Sequence, residues 1–353
     1  MRRNIIQNKR YIIKLVTLFY STKLAYCVTI SGISFTGTYA FMPQTVPQSI
    51  HHPRFSLAFF HPKYWLIWFG LILLFTITLL PLPVLRKLAH GNAWLLKTLA
   101  KKRVLIAQQN LALCFPDMPS EEQSTLLDKH IVTAGMGLFE TAIGWWWPDW
   151  RLRRIIEVEG MEHVRTIQAQ NKGVLALAIH NVNLETGCRM LGLFHKSVAF
   201  YRPHNNPLMD YVQFKGRVRS NEYLIDKRSS RALLNALDDG KVCAYLPDQD
   251  YGPRGALFVP FFAVEKAATI SATLMFARRA NCIPLMVSTQ TTSRGYKIKF
   301  YPPMVDFADK EDEAALTDLN HRIEQMVLEQ PESYLWMHKR FKTRPKGEPS
   351  LYR

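Results

Sequence analysis

The chain has 353 residues, 48% of them hydrophobic, with 45 basic and 28 acidic side chains for a formal charge of +17. That length can bury a full core in one large domain or two small ones, and the charge favours an anionic partner: a nucleic acid, an anionic membrane face, a phosphorylated substrate or an acidic protein. The five cysteines are scattered with no C-x-x-C pair, which argues against a disulfide framework or a zinc site and fits a reducing compartment.

In chain order, residues 1–52 form an N-terminal extension. It has a basic start and a moderately apolar stretch at 24–41, compatible with a signal-like segment, a second membrane segment or a disordered extension. Met42 opens a segment that would serve as an N-terminus by itself. Residues 53–86 hold the strongest apolar signal. "YWLIWFGLILLFTITLLPLPVL", residues 64–85, contains no charged residue and is about long enough to cross roughly 30 Å of hydrocarbon. Tyr64, Trp65 and Trp68 suit the headgroup region at one end, and Pro81 and Pro83 end the helix at the other. The expectation is a transmembrane helix or a deep one-leaflet anchor. Arg86, Lys87, Lys97, Lys101, Lys102 and Arg103 follow it, whereas Arg54 and Lys63 precede it, so residues 87–353 are expected on the cytoplasmic side.

That region opens with helical spacing at 103–115. Ser120 with Gln123 then reads as a capping box for a helix through about Ala142. "GWWWPDW" (144–150) carries four tryptophans, readable as core packing or as an interfacial patch. From about residue 155, strand and helix patterns alternate. "IIEVEG", "GVLALAI", "SVAFYR", "YLI", "KVCAYL", "CIPLMVSTQ" and "YKIKFY" read as strands. "KAATISATLMFARRAN" and "DEAALTDLNHRIEQMVLEQ" are among the predicted helices, with more helix after Pro331. The fold class is therefore α/β: a mostly parallel central sheet flanked by helices, with an N-terminal membrane-inserting helix. In such sheets reacting groups gather beyond the carboxyl ends of the strands.

His180 lies at such an end, after the apolar run 174–179, and Glu185 stands in the first turn of the next helix. An imidazole–carboxylate pair there would leave one ring nitrogen free to take a proton from an attacking hydroxyl, the general-base half of acyl transfer. With 11 histidines in the chain, roughly one His-x4-acid spacing is expected by chance, so a satisfied loop histidine is the competing reading. Arg217 and Arg219 beside Gly216 could hold a phosphate or an ester oxygen, or form a solvated basic face. Asp248 and Asp250, at another strand end, suit a positioning role or a turn better than a metal, because no His or Cys cluster accompanies them. The chain has no G-x-S-x-G elbow, no Walker A loop and no G-x-G-x-x-G.

"HNVNLE" (180–185) matches the His-x4-acid block of glycerolipid-type acyltransferases. "HPKYWLIWFG" (61–70), "YRPHNNPLMD" (201–210), "GRVRSN" (216–221), "PDQDYGP" (247–253), "FVPFFAVE" (258–265) and "RFKTRPKGEPSLY" (340–352) resemble the late acyltransferases of lipid A biosynthesis. The resemblance runs from about residue 52 to the C-terminus. It implies an enzyme of the Gram-negative inner membrane with its catalytic domain on the cytoplasmic face. Such enzymes move a fatty acyl chain from acyl carrier protein to a hydroxyl of the lipid A precursor. It also implies that His180 is the base and Glu185 its partner, that Arg217 and Asp248 support catalysis or substrate binding, and that neither a metal nor a cofactor beyond the carrier thioester is used. The subgroup resembled adds laurate or palmitoleate to the Kdo-bearing tetra-acyl precursor. "YRPHNN" and "PDQDYG" lean toward the palmitoleoyl form, although chain length is set by pocket depth.

The alternatives are acylation of another lysolipid, such as a glycerophosphate, and a non-catalytic membrane protein that binds anionic lipids. Nucleic acid is not an expected partner, since the basic residues are spread widely with no recognised motif.

Overall fold

The computed structural model describes residues 24–30, 33–39 and 52–352 of a chain that divides into two units, Met1–Gln48 and Ser49–Arg353. In the first unit β1 (Leu24–Ile30) and β2 (Ile33–Tyr39) form an antiparallel hairpin, Leu24 opposite Tyr39. The described part of the moderately apolar stretch 24–41 is thus paired as a hairpin. The signal-like and extension readings fall mostly on residues outside those described.

The second unit is built on a seven-stranded sheet. Its strands are β3 (Ile156–Glu159), β4 (Gly173–Leu177), β5 (Ser197–Tyr201), β6 (Asn221–Asp226), β7 (Val242–Tyr245), β10 (Cys282–Thr291) and β11 (Tyr296–Phe300). They lie in the order β3-β11-β10-β4-β7-β5-β6. Five neighbouring pairs are parallel and only β10–β11 is antiparallel. The α/β, mostly parallel expectation therefore describes this unit.

Successive strand side chains point to opposite faces, and both faces are covered. Leu175 and Leu177 of β4 join a core with helices Lys101–Cys114, Ser230–Asp238 and Asp312–Glu329. Val174 and Ala176 join the opposite core with helices Leu82–Leu99, Ser120–Trp146 and Leu184–Phe194.

The apolar segment departs from expectation. Among the described residues no helix is long and apolar enough to cross a membrane. The helix Trp65–Thr78 has 14 residues, about 21 Å at 1.5 Å per residue. Its carboxyl end is held by groups distant in sequence. The Trp147 indole donates to the Thr78 carbonyl at 2.7 Å. The Arg151 guanidinium, 3.6 Å from the centre of the Trp147 ring, donates to the carbonyls of Thr78, Leu79 and Leu80. Pro81 then caps a separate helix, Leu82–Leu99. Trp65, Leu66, Phe69, Ile72 and Leu73 stand exposed on the short helix.

Three local expectations also change. The Ser120–Gln123 capping box does not form; Gln123 Nε2 instead donates to the Phe115 and Met118 carbonyls at 2.8 and 3.1 Å. The helix predicted over "KAATISATLMFARRAN" begins only at Ala272. Val264–Ile270 is strand β9, paired antiparallel with β8 (Ala256–Phe261). Helix-forming Ala267 and Ala268 are drawn into that ladder and fully buried, so tertiary pairing overrides local propensity. Past Pro331 there is only a 3-10 turn, Pro331–Ser333, because the segment turns to bond the loop carrying His180.

Candidate active site

β4 and β7 are parallel neighbours with Leu177 opposite Tyr245, the last residue of each strand. The Ala178 N–H extends the ladder by donating to the Tyr245 carbonyl at 2.9 Å. His180 and Asp248 each stand three residues past that pair, so sheet register alone brings them together. The Asp248 Oδ2 accepts the His180 backbone N–H at 2.9 Å, and Oδ1 lies 2.7 Å from His180 Nδ1. The Asp248 side chain is 0% exposed and that of His180 is 20%.

Burial opposes the ionised Asp248 carboxyl. The charge and ring N–H of His180, with its backbone N–H, outweigh burial and hold the carboxyl below the usual carboxylate range. An ionised Asp248 only accepts, so Nδ1 carries the hydrogen, and in the neutral ring Nε2 presents a lone pair.

The C-terminal segment closes over this loop. Leu335 N–H donates to the His180 carbonyl at 2.9 Å, Val182 N–H to the Ser333 carbonyl at 2.8 Å, and Asn181 bridges Tyr334. The Tyr334 hydroxyl donates to the Asp248 carbonyl at 3.3 Å. Asn110 in turn holds that segment through the Trp336 and His338 carbonyls, at 2.6 and 2.7 Å. A small pocket beside His180 and Asp248 is lined by Asn110, Tyr334, His338 and Arg340.

Glu185 does occupy the first turn of its helix, but it does not pair with His180. Its carboxylate pairs with the Arg217 guanidinium through Nη2 and, at 3.0 Å, through Nε. It also accepts the Trp145 indole N–H at 2.9 Å. Gly216 makes this possible, since a Cβ there would overlap the Trp145 ring. The expected His180–Glu185 pair is thus corrected to two pairs, His180–Asp248 and Glu185–Arg217. The reason is that a strand neighbour reaches the imidazole, while helix Pro207–Val218 brings a guanidinium to Glu185.

The remaining candidates divide. Arg219 does not present a free guanidinium; it donates to the carbonyls of Trp145 and Trp147 at 2.6 and 2.9 Å, satisfying the end of helix Ser120–Trp146. Asp250 accepts from the N–H groups of Gly252 and Thr343 and the Thr343 hydroxyl, as a turn-former does. The tryptophan cluster answers both readings, with Trp145 and Trp147 buried and Trp150 59% exposed. Sequence patterns offered Trp145 only as one of the tryptophan cluster at 144–150, and they did not single out Asn110 or Tyr334.

The profile of the family described as "Bacterial lipid A biosynthesis acyltransferase" matches residues 52–343, which includes every residue of both pairs. The chain belongs to that family. This acyltransferase is 41% identical over 302 residues to the lipid A biosynthesis lauroyltransferase of Escherichia coli K12, covering 85% of this chain and 99% of that one. It is 42% identical over 301 residues to the lipid A biosynthesis palmitoleoyltransferase of the same strain, covering 85% and 98%. It is 38% identical over 307 residues to a Haemophilus influenzae lipid A biosynthesis acyltransferase, covering 85% and 98%. The lauroyl and palmitoleoyl relatives match almost equally, so identity does not separate the two chain lengths.

Proposed function

We propose that this chain transfers a fatty acyl group, laurate or palmitoleate, from acyl carrier protein to a hydroxyl of the Kdo-bearing tetra-acyl lipid A precursor. The observation that carries the reading is His180 held at Nδ1 by a fully buried, ionised Asp248, within a chain of this family. His180 Nε2 takes the acceptor hydroxyl proton as the oxygen attacks the thioester carbonyl carbon. A C–O bond forms and the carbonyl oxygen becomes an oxyanion. Its collapse breaks the C–S bond, and the leaving sulfur takes the proton from the imidazolium. Asp248 stabilises that imidazolium and fixes the tautomer. The Glu185–Arg217 pair anchors helix Leu184–Phe194, and with it the His180 loop, against helix Pro207–Val218. No nucleotide or metal is required, because a thioester is already an activated donor.

The exposed apolar face of helix Trp65–Thr78 supports a one-leaflet anchor in the inner membrane. The formal charge of +17 supports attraction to a phosphorylated glycolipid and an acidic carrier, with residues 87–353 on the cytoplasmic face.

The test is a purified enzyme given dodecanoyl- or palmitoleoyl-carrier protein with the tetra-acyl precursor, read by product mass. Gain of one acyl group is expected. Transfer to a glycerophosphate acceptor instead would overturn the acceptor, and no product from any donor would overturn the reading. His180→Ala is expected to lower kcat by about 10²–10⁴ with the melting temperature near wild type; an unchanged rate removes His180 from the chemistry.

A further inference from the structure

Asn183 stands between His180 and Glu185 in sequence and takes part in neither pair. It occupies the N-cap position of helix Leu184–Phe194, yet its side chain caps none of that helix's N–H groups. The residue is 2% exposed, and both Nδ2 and Oδ1 lack a hydrogen-bond partner. A buried carboxamide left this way is destabilising, so its retention calls for an explanation, such as a role toward a ligand.

Asn183 lines a cavity of ≈ 30 Å³ between its helix and the carboxyl ends of β4, β7 and β10. The other walls are mainly apolar, with Ala178, Leu184, Gly187, Leu191 and Leu246 among them. Asn181, which also lines it, has its amide committed to the Thr289 carbonyl at 3.2 Å. The two arginines that the sequence offers for an ester oxygen are committed as well, Arg217 to Glu185 and Arg219 to backbone carbonyls. Of these amide and guanidinium groups the Asn183 side chain is the uncommitted one; the other polar lining residue is Thr289.

A ligand that fits one amide donor set in an apolar wall has one strong acceptor joined directly to hydrocarbon. An acyl thioester is such a ligand. We propose that Asn183 Nδ2 donates a hydrogen bond to the carbonyl oxygen of the acyl donor, with the first carbons of its chain entering the adjoining cavity. Asn183 is then a catalytic residue, because the bond strengthens as the carbonyl oxygen gains charge on attack. The inference rests on the acyl-transfer reading above.

The test uses Asn183→Leu, which keeps the branched shape at a somewhat larger volume and removes both polar groups, and Asn183→Asp, which replaces the donor by an anion. Both are expected to lower kcat by about 10²–10³, with acceptor KM little changed. Asn183→Leu is expected to melt at or above the wild-type temperature, because it removes the unbonded amide. The companion measurement is the affinity for carrier protein loaded with a ketone analogue, which keeps the carbonyl, or a thioether analogue, which lacks it. Wild type should prefer the ketone by about tenfold, one hydrogen bond's worth, and Asn183→Leu should show no preference. An unchanged kcat in Asn183→Leu overturns the proposal. So does a loss of kcat accompanied by a lower melting temperature and equal weakening of both analogues, the signature of a purely structural amide. If wild type neither transfers nor binds any acyl thioester, the parent reading fails first, an outcome distinct from either of these.

Discussion

Asp248 and Glu185 are both largely enclosed carboxylates facing a nitrogen base, and their partners leave them in different chemical positions. Asp248 faces an imidazole, which it orients at one nitrogen while the other stays available. Glu185 faces a guanidinium, which holds its proton throughout and offers no exchangeable base. The first pair can carry a proton through a reaction cycle; the second can only hold elements in place. The His-x4-acid spacing of this chain therefore joins two residues with separate partners.

Asp248→Asn tests the difference most sharply. It keeps the shape and removes the charge, so Nδ1 loses its acceptor and the ring tautomer is no longer fixed. A fall in kcat of about 10³–10⁴ is expected, read from initial rates with donor and acceptor saturating. A fall of less than tenfold would mean that the imidazole is oriented by something else. The Asp248 carboxyl lies below its ordinary range in the folded state, so the stability it contributes is present above the unfolded pKa of about 3.9. That contribution is lost as pH drops through the lower folded value.

Glu140 extends the comparison to a carboxylate with no base paired to it. Burial, opposed by the Tyr296 hydroxyl and the Arg86 charge, pushes its carboxyl up to about 7. The folded chain then holds a proton that the unfolded chain has released, so wild-type stability should fall as pH rises from about 4.5 to about 7. Glu140→Gln should flatten that slope and be more stable above it by on the order of 3 kcal/mol. Parallel denaturation curves for the two proteins across that pH range would contradict this.

Arg217→Met leaves Glu185 charged and unpaired. Side-chain exposures of 26% and 16% place the pair between surface and core, so a loss of about 1–3 kcal/mol is expected. Adding Glu185→Leu should recover part of it. Chemical denaturation of the two single variants and the double closes the cycle, and a double variant worse than the sum would rule out a holding role. Asp250→Asn makes the smallest change, about 1 kcal/mol of stability from one lost acceptor, with kcat within a few-fold of wild type. Assayed beside Asp248→Asn, it asks whether two carboxylates two residues apart differ as their partners say.

The central strands were legible because residues such as 174–177 are apolar and the chain punctuates them with glycine and polar turns. β9 was not, since Ala267 and Ala268 favour helix until a neighbouring strand claims them. His180 was legible as a strand-end histidine. Its true partner was not, because Asp248 lies 68 residues away and meets it only through the adjacency of β4 and β7, which local pattern does not encode. The end of helix Trp65–Thr78 was legible in Pro81 and Pro83, but the donors that satisfy it, Trp147 and Arg151, were not, for the same kind of reason. Long-range register and capping decide these features, and neither leaves a periodic trace.

The hydrogen bonds from residues 333–335 to the loop at His180 also order events during translation. Those residues leave the ribosome long after the imidazole and its carboxylate, and longer still after the greasy helix near the amino end. A nascent chain therefore presents that apolar helix while its His180 loop is still missing one wall. The finished loop is made only once residues 333–335 have emerged as well.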